Sequence, residues 1–314
     1  MTRFAKYAWG VLIYNVTVIL WGTYVRATGS GAACGAHWPL CNGEVIPLAP
    51  QTATLVEFSH RLMSGLALLT VIVLIVWAFR AYPKKHLARV GTTLSLLFML
   101  SEALVGAGLV LFKLAGNNAS ITRAFTTSIH LVNTFLLLAV LTLTAWWASG
   151  GRALHLRSDK KGWLFFIGFV GMLVLGTSGA IAALGDALFP SQTFAAGFAA
   201  DLDPASHLFL RLRIFHPFIA LGVGLYLIIL AASFGLAHAH SKRFAAALIA
   251  LIAVQWIVGV VNVLLLAPAW MQMVHLLITD ALWITFILMI ASLFGDAATV
   301  VESLDASPLP LPVK

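Results

Sequence analysis

Eight apolar runs, each long enough to cross a bilayer as a helix, leave this chain few ways to fold. They cover about residues 7–27, 55–79, 87–111, 123–147, 163–184, 207–234, 244–266 and 270–294. Roughly 20 apolar residues carry a helix across the hydrocarbon core, where every backbone polar group must be satisfied within the chain. Strands of a membrane barrel would instead show ~10-residue segments of alternating polarity. These runs are longer and do not alternate. Only 10% of the residues are charged, against roughly 25% in soluble domains. The sequence predicts an all-α integral membrane protein with eight transmembrane helices.

The net charge of +8 does not point to nucleic acid, because the basic residues sit in short loops between the runs. They read as topology determinants. Arg3 and Lys6 precede the first run; Arg80, Lys84, Lys85 and Arg89 follow the second; Arg152, Arg157, Lys160 and Lys161 follow the fourth; Lys242 and Arg243 follow the sixth. The loops after the fifth and seventh runs carry none. Both termini are therefore expected to be cytoplasmic. The basic residues 1–6 run straight into the first apolar segment with no small-residue cleavage site, so that segment is expected to be retained. Cys34 and Cys41 share the long outward loop 28–54, on the oxidising side, where a disulfide forms readily. A metal pair or two free thiols are the alternatives, and the side of the membrane argues against both. The Pro-rich tail 296–314 reads as disordered.

The two halves of the chain repeat. Gly22-Thr23 matches Gly176-Thr177, His60 matches His216, Glu102-x-x-Val105-Gly106 matches Gln255-x-x-Val258-Gly259, and His130 matches His275. Four helices per half make a parallel repeat. The expected division is an N-terminal four-helix bundle, 1–150, a C-terminal one, 151–295, and the tail. A single histidine in an apolar helix is usually a hydrogen-bonded core residue. Four at repeat-related positions, in the outward part of their helices, suit axial haem ligation. Zinc wants four ligands in a tetrahedron, and two histidines per bundle fit that poorly.

Glu57 and His60, three residues apart, share a helical face. A carboxylate and an imidazole inside a membrane segment are costly and mark function by default. Arg26, Arg61, Arg123, Arg211 and Arg213 cluster at the outward helix ends. Haem propionates would explain them through charge-assisted hydrogen bonds; snorkelling to headgroups is the plainer explanation. In the His60/His216 register, Glu57 stands where the second half has Arg213. That asymmetry suggests that one bundle does chemistry and the other handles electrons. Glu102 and Asp280 are either interhelical hydrogen-bonding residues or parts of a proton path, and the pairing of Glu102 with Gln255 favours the former.

Three stretches together, Thr28-Gly29-Ser30-Gly31, Cys34-Gly35-Ala36-His37-Trp38-Pro39-Leu40-Cys41-Asn42-Gly43 and Glu57-Phe58-Ser59-His60-Arg61, resemble the haem A synthase family, and the eight helices and four histidines extend the resemblance to all but the tail. The resemblance implies oxidation of the C8 methyl of haem O to a formyl group, giving haem A for terminal oxidases in the bacterial cytoplasmic membrane. By matching position, Glu57 is the essential acid, His60 and His130 frame the substrate haem, His216 and His275 ligate a haem b, and Cys34 and Cys41 are the outward-loop pair. Some members carry a second cysteine pair after the fifth run; the loop 185–205 has none here. Haem O is the implied substrate. Haem O synthase, oxidase assembly factors, membrane lipid and a second copy of the chain are the candidate partners.

No side chain in the sequence attacks a methyl C–H bond, so a cofactor must carry the hard step. An aldehyde from a methyl takes two successive oxygenations and loss of water. If His60 and His130 both hold the substrate iron, dioxygen finds no position on it, so either one of them is displaced or the haem is oxidised without oxygen binding at its own iron. A di-haem b-type electron-transfer subunit explains the four histidines but not Glu57 against Arg213. A haem transporter or chaperone leaves Glu57 a structural role.

Overall fold

The computed structural model describes residues 1–48, 50–155 and 158–295. The tail 296–314, expected to be disordered, and Arg157 lie outside the described residues. The described chain is all-helical: α1 (Arg3–Ala27), α2 (Thr52–Ala81), α3 (Leu87–Leu111), α4 (Ile121–Ala148), α5 (Lys160–Leu188), α6 (Phe194–Leu202), α7 (Leu208–Arg213), α8 (Phe215–Leu230), α9 (Lys242–Leu264) and α10 (Ala269–Leu293). Eight stretches are long and apolar enough to cross a membrane, the sixth combining α7, α8 and a closing π turn, Ala231–Gly235. Among the described residues the only β features are two isolated bridges, Cys41 with Glu44 and Leu154 with Gly295.

Polar side chains set several helix starts. Thr2 accepts from the Ala5 N–H at 3.1 Å, Ser120 from Arg123 at 3.2 Å and Asp159 from Gly162 at 2.8 Å, each satisfying one orphan donor of a first turn. The sixth run, expected to be continuous over 207–234, is broken at Ile214 between α7 and α8. Pro217 is the physical reason. It has no N–H for the Arg213 carbonyl four residues back, and its ring crowds that carbonyl. α6 is a short helix within the loop that follows the fifth run. Thr193 caps it, accepting from Ala196 at 3.2 Å, and its alanine-rich sequence favours helix.

α1 packs against α2 and α4, and α3 against α2 and α4; α5 packs against α7 and α8, and α9 against α8 and α10. α10 also packs against α1 and α4, and α4 against α5. At this seam Trp283 is fully buried, stacks on Phe135 of α4 at 5.1 Å and donates Nε1–H to the Phe135 carbonyl at 2.7 Å. Away from the seam the helices expose Ile13, Leu97, Phe166, Ile229 and Ile257. That distribution suits lipid contact, since water-soluble surfaces rarely expose apolar areas of such extent.

Candidate functional site: a cavity lined by four histidines

One cavity of about 2360 Å³ opens between the helices and takes lining residues from both halves of the chain. His60 on α2, His130 on α4, His216 on α8 and His275 on α10 all line it, together with Glu57, Glu102, Gln255, Arg26, Arg61, Arg123 and Arg213. Arg211 is exposed and is not among the lining residues, so the expected place for it at the site is not where the fold puts it. Asp280 is also outside the lining; it is fully buried, with neither carboxyl oxygen hydrogen-bonded among the described residues.

Each histidine is backed by a glycine of the helix beside it. A Cβ on Gly22 of α1 would lie 2.9 Å from His60 Cε1, and one on Gly179 of α5 would lie 3.0 Å from His216 Cε1. Gly106 and Gly259 stand behind His130 and His275 at 3.8 and 3.4 Å. The counterpart of Gly22 is therefore Gly179. Gly176, matched to it in sequence, packs on Phe135 and Leu131 of α4. The match slips by about one helical turn because both positions lie on the same face.

The rings of His216 and His275 stand edge to face with centroids 6.4 Å apart and planes at 71°. Two metal–nitrogen bonds of about 2 Å each, added to the two half-rings, account for that separation. Ser178 Oγ lies 2.9 Å from His216 Nδ1 and holds that ring by its other nitrogen. Nδ1 of His60, His130 and His275 is buried without a hydrogen-bond partner among the described residues. Paired imidazoles and cradles that a Cβ would fill fit a haem between histidines. Among the described residues no cluster of three or more His, Cys, Asp or Glu side chains suits a metal ion.

Two arginines tie loops over the cavity. Cys34 and Cys41 form a disulfide, with S–S 2.01 Å. The Cys34 N–H donates to Glu57 Oε2 at 2.8 Å, Arg61 Nε and Nη2 donate to Glu57 Oε1 at 3.2 and 2.5 Å, and Arg61 Nη1 donates to the carbonyls of His37 and Leu40 at 2.5 Å each. Glu57 is buried, 3% exposed, so these donors supply its hydrogen bonds in place of water. In the other half Arg213 donates to Asp186 at 2.6 Å, to Asp201 at 2.6 and 3.0 Å, and to the Gly197 carbonyl at 3.4 Å. Gly197 and Asp201 belong to α6, so Arg213 fastens α6 to α5. Arg123 donates to the Gly116 and Asn118 carbonyls of the α3–α4 link. Among the described residues Arg26 makes one side-chain hydrogen bond, to Gln272 Oε1 of α10 at 3.1 Å. Arg61 and Arg213 are thus committed to protein groups, whereas Arg26 and Arg123 keep donors open among the described residues.

Sequence reasoning passed over the clamp carboxylates Asp186 and Asp201. The signal available was three acids, Asp186, Asp201 and Asp203, in a loop without basic residues. Glu102, for which the sequence favours interhelical hydrogen bonding over a proton path, does accept across the helices from Asn133 and Thr134 of α4, and its Oε1 also lies 3.3 Å from His130 Nδ1, a neighbour the sequence does not reveal.

The model of the COX15-CtaA family, cytochrome oxidase assembly protein, matches residues 5–287. The chain is 51% identical over 306 residues to a protoheme IX farnesyltransferase of Thermus thermophilus, covering 96% of this chain and 50% of that protein. It is 36% identical over 164 residues to a heme A synthase of Alkalihalophilus pseudofirmus, 51% of each chain. A heme A synthase of Halalkalibacterium halodurans is 45% identical over 97 residues, 31% of this chain and 33% of that protein. The chain spans about half the length, or less, of these relatives.

Proposed function

The chain belongs to the COX15-CtaA family of cytochrome oxidase assembly proteins, and from that premise we propose that it is a haem A synthase, a membrane oxidoreductase converting the C8 methyl of haem O to a formyl group. The observation that carries the proposal is the cavity in which four glycine-backed histidines meet Glu57. The likeness to heme A synthases supports the reaction class. The name of the Thermus thermophilus relative supports a haem O synthase, the enzyme class that farnesylates protohaem, as supplier of the substrate.

In this reading the halves are two repeated four-helix bundles, 1–150 and 151–295, with cytoplasmic termini, in the cytoplasmic membrane of a bacterium. His60 and His130 hold the substrate haem. His216 and His275 hold a resident haem b, which when bound supplies one-electron transfer. Arg26 and Arg123, with open donors, meet propionates. Glu57 acts at the edge of the substrate, taking up a proton or stabilising positive charge that develops as the methyl is oxidised. The disulfide loop and α6 close the two sites against water, which strengthens every electrostatic interaction inside.

Pigment extraction from membranes expressing this chain, with and without a haem O supply, tests the proposal. Haem A should appear only when both are present. His216→Ala or His275→Ala should remove haem b from the purified protein, while His60→Ala or His130→Ala should spare haem b and abolish haem A. Haem b alone, with no haem A under any supply, would overturn the proposal and leave an electron-transfer subunit.

A further inference from the structure

We propose that Glu102 is the positioning residue of the first haem site, orienting His130 through its Nδ1 nitrogen. The proposal rests on the reading of His130 as a ligand of the substrate iron.

Glu102 Oε1 lies 3.3 Å from His130 Nδ1, within ion-pair distance though not yet in line for a hydrogen bond. Contacts of this kind tighten when the ligand seats the ring. The carboxylate is fixed from its other sides. The Thr134 hydroxyl donates to Oε1, and Asn133 Nδ2 donates to Oε2 at 2.6 Å. Asn133 is in turn held by the Phe98 carbonyl at 2.9 Å and by the Ser101 hydroxyl at 2.7 Å. A chain of α3 and α4 side chains thus aims one carboxylate oxygen at one ring nitrogen.

The second half keeps the positions and changes the chemistry. Gln255 stands in place of Glu102, and its Nε2 reaches the Thr279 hydroxyl at 2.7 Å, the His275 carbonyl at 3.1 Å and His275 Nε2 at 3.1 Å. Thr134 and Thr279 each follow their histidine by four residues. Interhelical hydrogen bonding alone needs no charge, and Gln255 supplies it with a neutral amide. What a carboxylate adds is an anionic acceptor for Nδ1–H. That acceptor fixes the tautomer that leaves Nε2 for iron and makes the imidazole a stronger donor. A stronger, more anionic donor favours the ferric state, so Glu102 lowers the potential of the first-site iron relative to the second.

The test uses the full chain purified with haem O bound, and compares Glu102→Gln, Gln255→Glu and His130→Ala by redox titration and optical spectra. Outer-shell partners of metal ligands typically change affinity by about 10–100-fold. Glu102→Gln should weaken haem O retention to that extent and raise the midpoint potential of the first-site haem, leaving the haem b potential in place. Gln255→Glu, whose side chain reaches the other ring nitrogen of its histidine, Nε2, should leave the first-site potential in place. If His130→Ala alters the first-site spectrum but Glu102→Gln moves neither potential nor retention, the proposal falls and Glu102 is a packing residue. If His130→Ala leaves that spectrum unchanged, the ligand reading itself fails.

Discussion

The backbone N–H of Cys34 donates to Glu57 Oε2 at 2.8 Å, so the disulfide loop is latched to the carboxylate at the cavity's edge. Arg61 completes the latch, joining Glu57 to the His37 and Leu40 carbonyls inside the same loop. In the proposed reaction Glu57 would thus have two separable duties, one to its charge in the site and one to the loop.

Glu57→Gln and Arg61→Gln separate them. Both remove the charged Glu57–Arg61 pair, and only the first removes the carboxylate. We expect Glu57→Gln to bind haem O, retain haem b and lower haem A at least tenfold. Arg61→Gln should loosen the loop and cost less. The measurement is the haem O to haem A ratio in pigment extracts, normalised to haem b. Equal losses in the two variants would reduce Glu57 to a structural group.

Replacing Cys34 and Cys41 by serine opens a small ring, worth about 2–3 kcal/mol in the chain-entropy model. The melting temperature should fall, haem A formation should drop, and the haem b spectrum should persist, since His216 and His275 lie on α8 and α10. Loss of haem b from the serine variant would show that the loop supports the whole fold.

Gly179→Ala puts a Cβ 3.0 Å from His216 Cε1. Overpacking of this kind costs about 1–3 kcal/mol, and here relief comes by turning the imidazole away from His275. The haem b spectrum should change or vanish. Gly22→Ala should spare haem b and impair haem O binding at His60. Gly10→Ala, with nothing within 4 Å of the added Cβ, serves as the control and should behave as wild type. A normal haem b spectrum in Gly179→Ala would refute the cradle.

Arg213→Ala removes the contacts that fasten α6. Each charge-assisted hydrogen bond contributes roughly 1.5–3 kcal/mol, so local opening should accelerate about tenfold or more. Hydrogen exchange across Phe194–Leu202 should quicken while α9 stays protected. Unchanged exchange in α6 would mean that other contacts hold it.

The sequence by itself determined the class of fold, because the bilayer demands long apolar helices and little else satisfies their backbone. It also located the histidines and Glu57, since polar groups in such segments stand out against an apolar background. Pairings between distant segments were beyond it. A repeat match tolerates a slip of one turn, which is why Gly176 was aligned where Gly179 packs. The arginines were visible, but only folding decided that Arg61 and Arg213 hold loops while Arg26 and Arg123 keep donors open. The interhelical bonding of Glu102 was legible and holds, in its bonds from Asn133 and Thr134; its closeness to His130 was not, because that distance is set by how α3 lies on α4. The break before α8 was written in Pro217, and tertiary packing then gave it a use, turning Arg213 toward Asp186 and Asp201. Side-chain identity is a local property of the chain. The partner of a buried charge is chosen by the packing of helices that sequence distance does not encode.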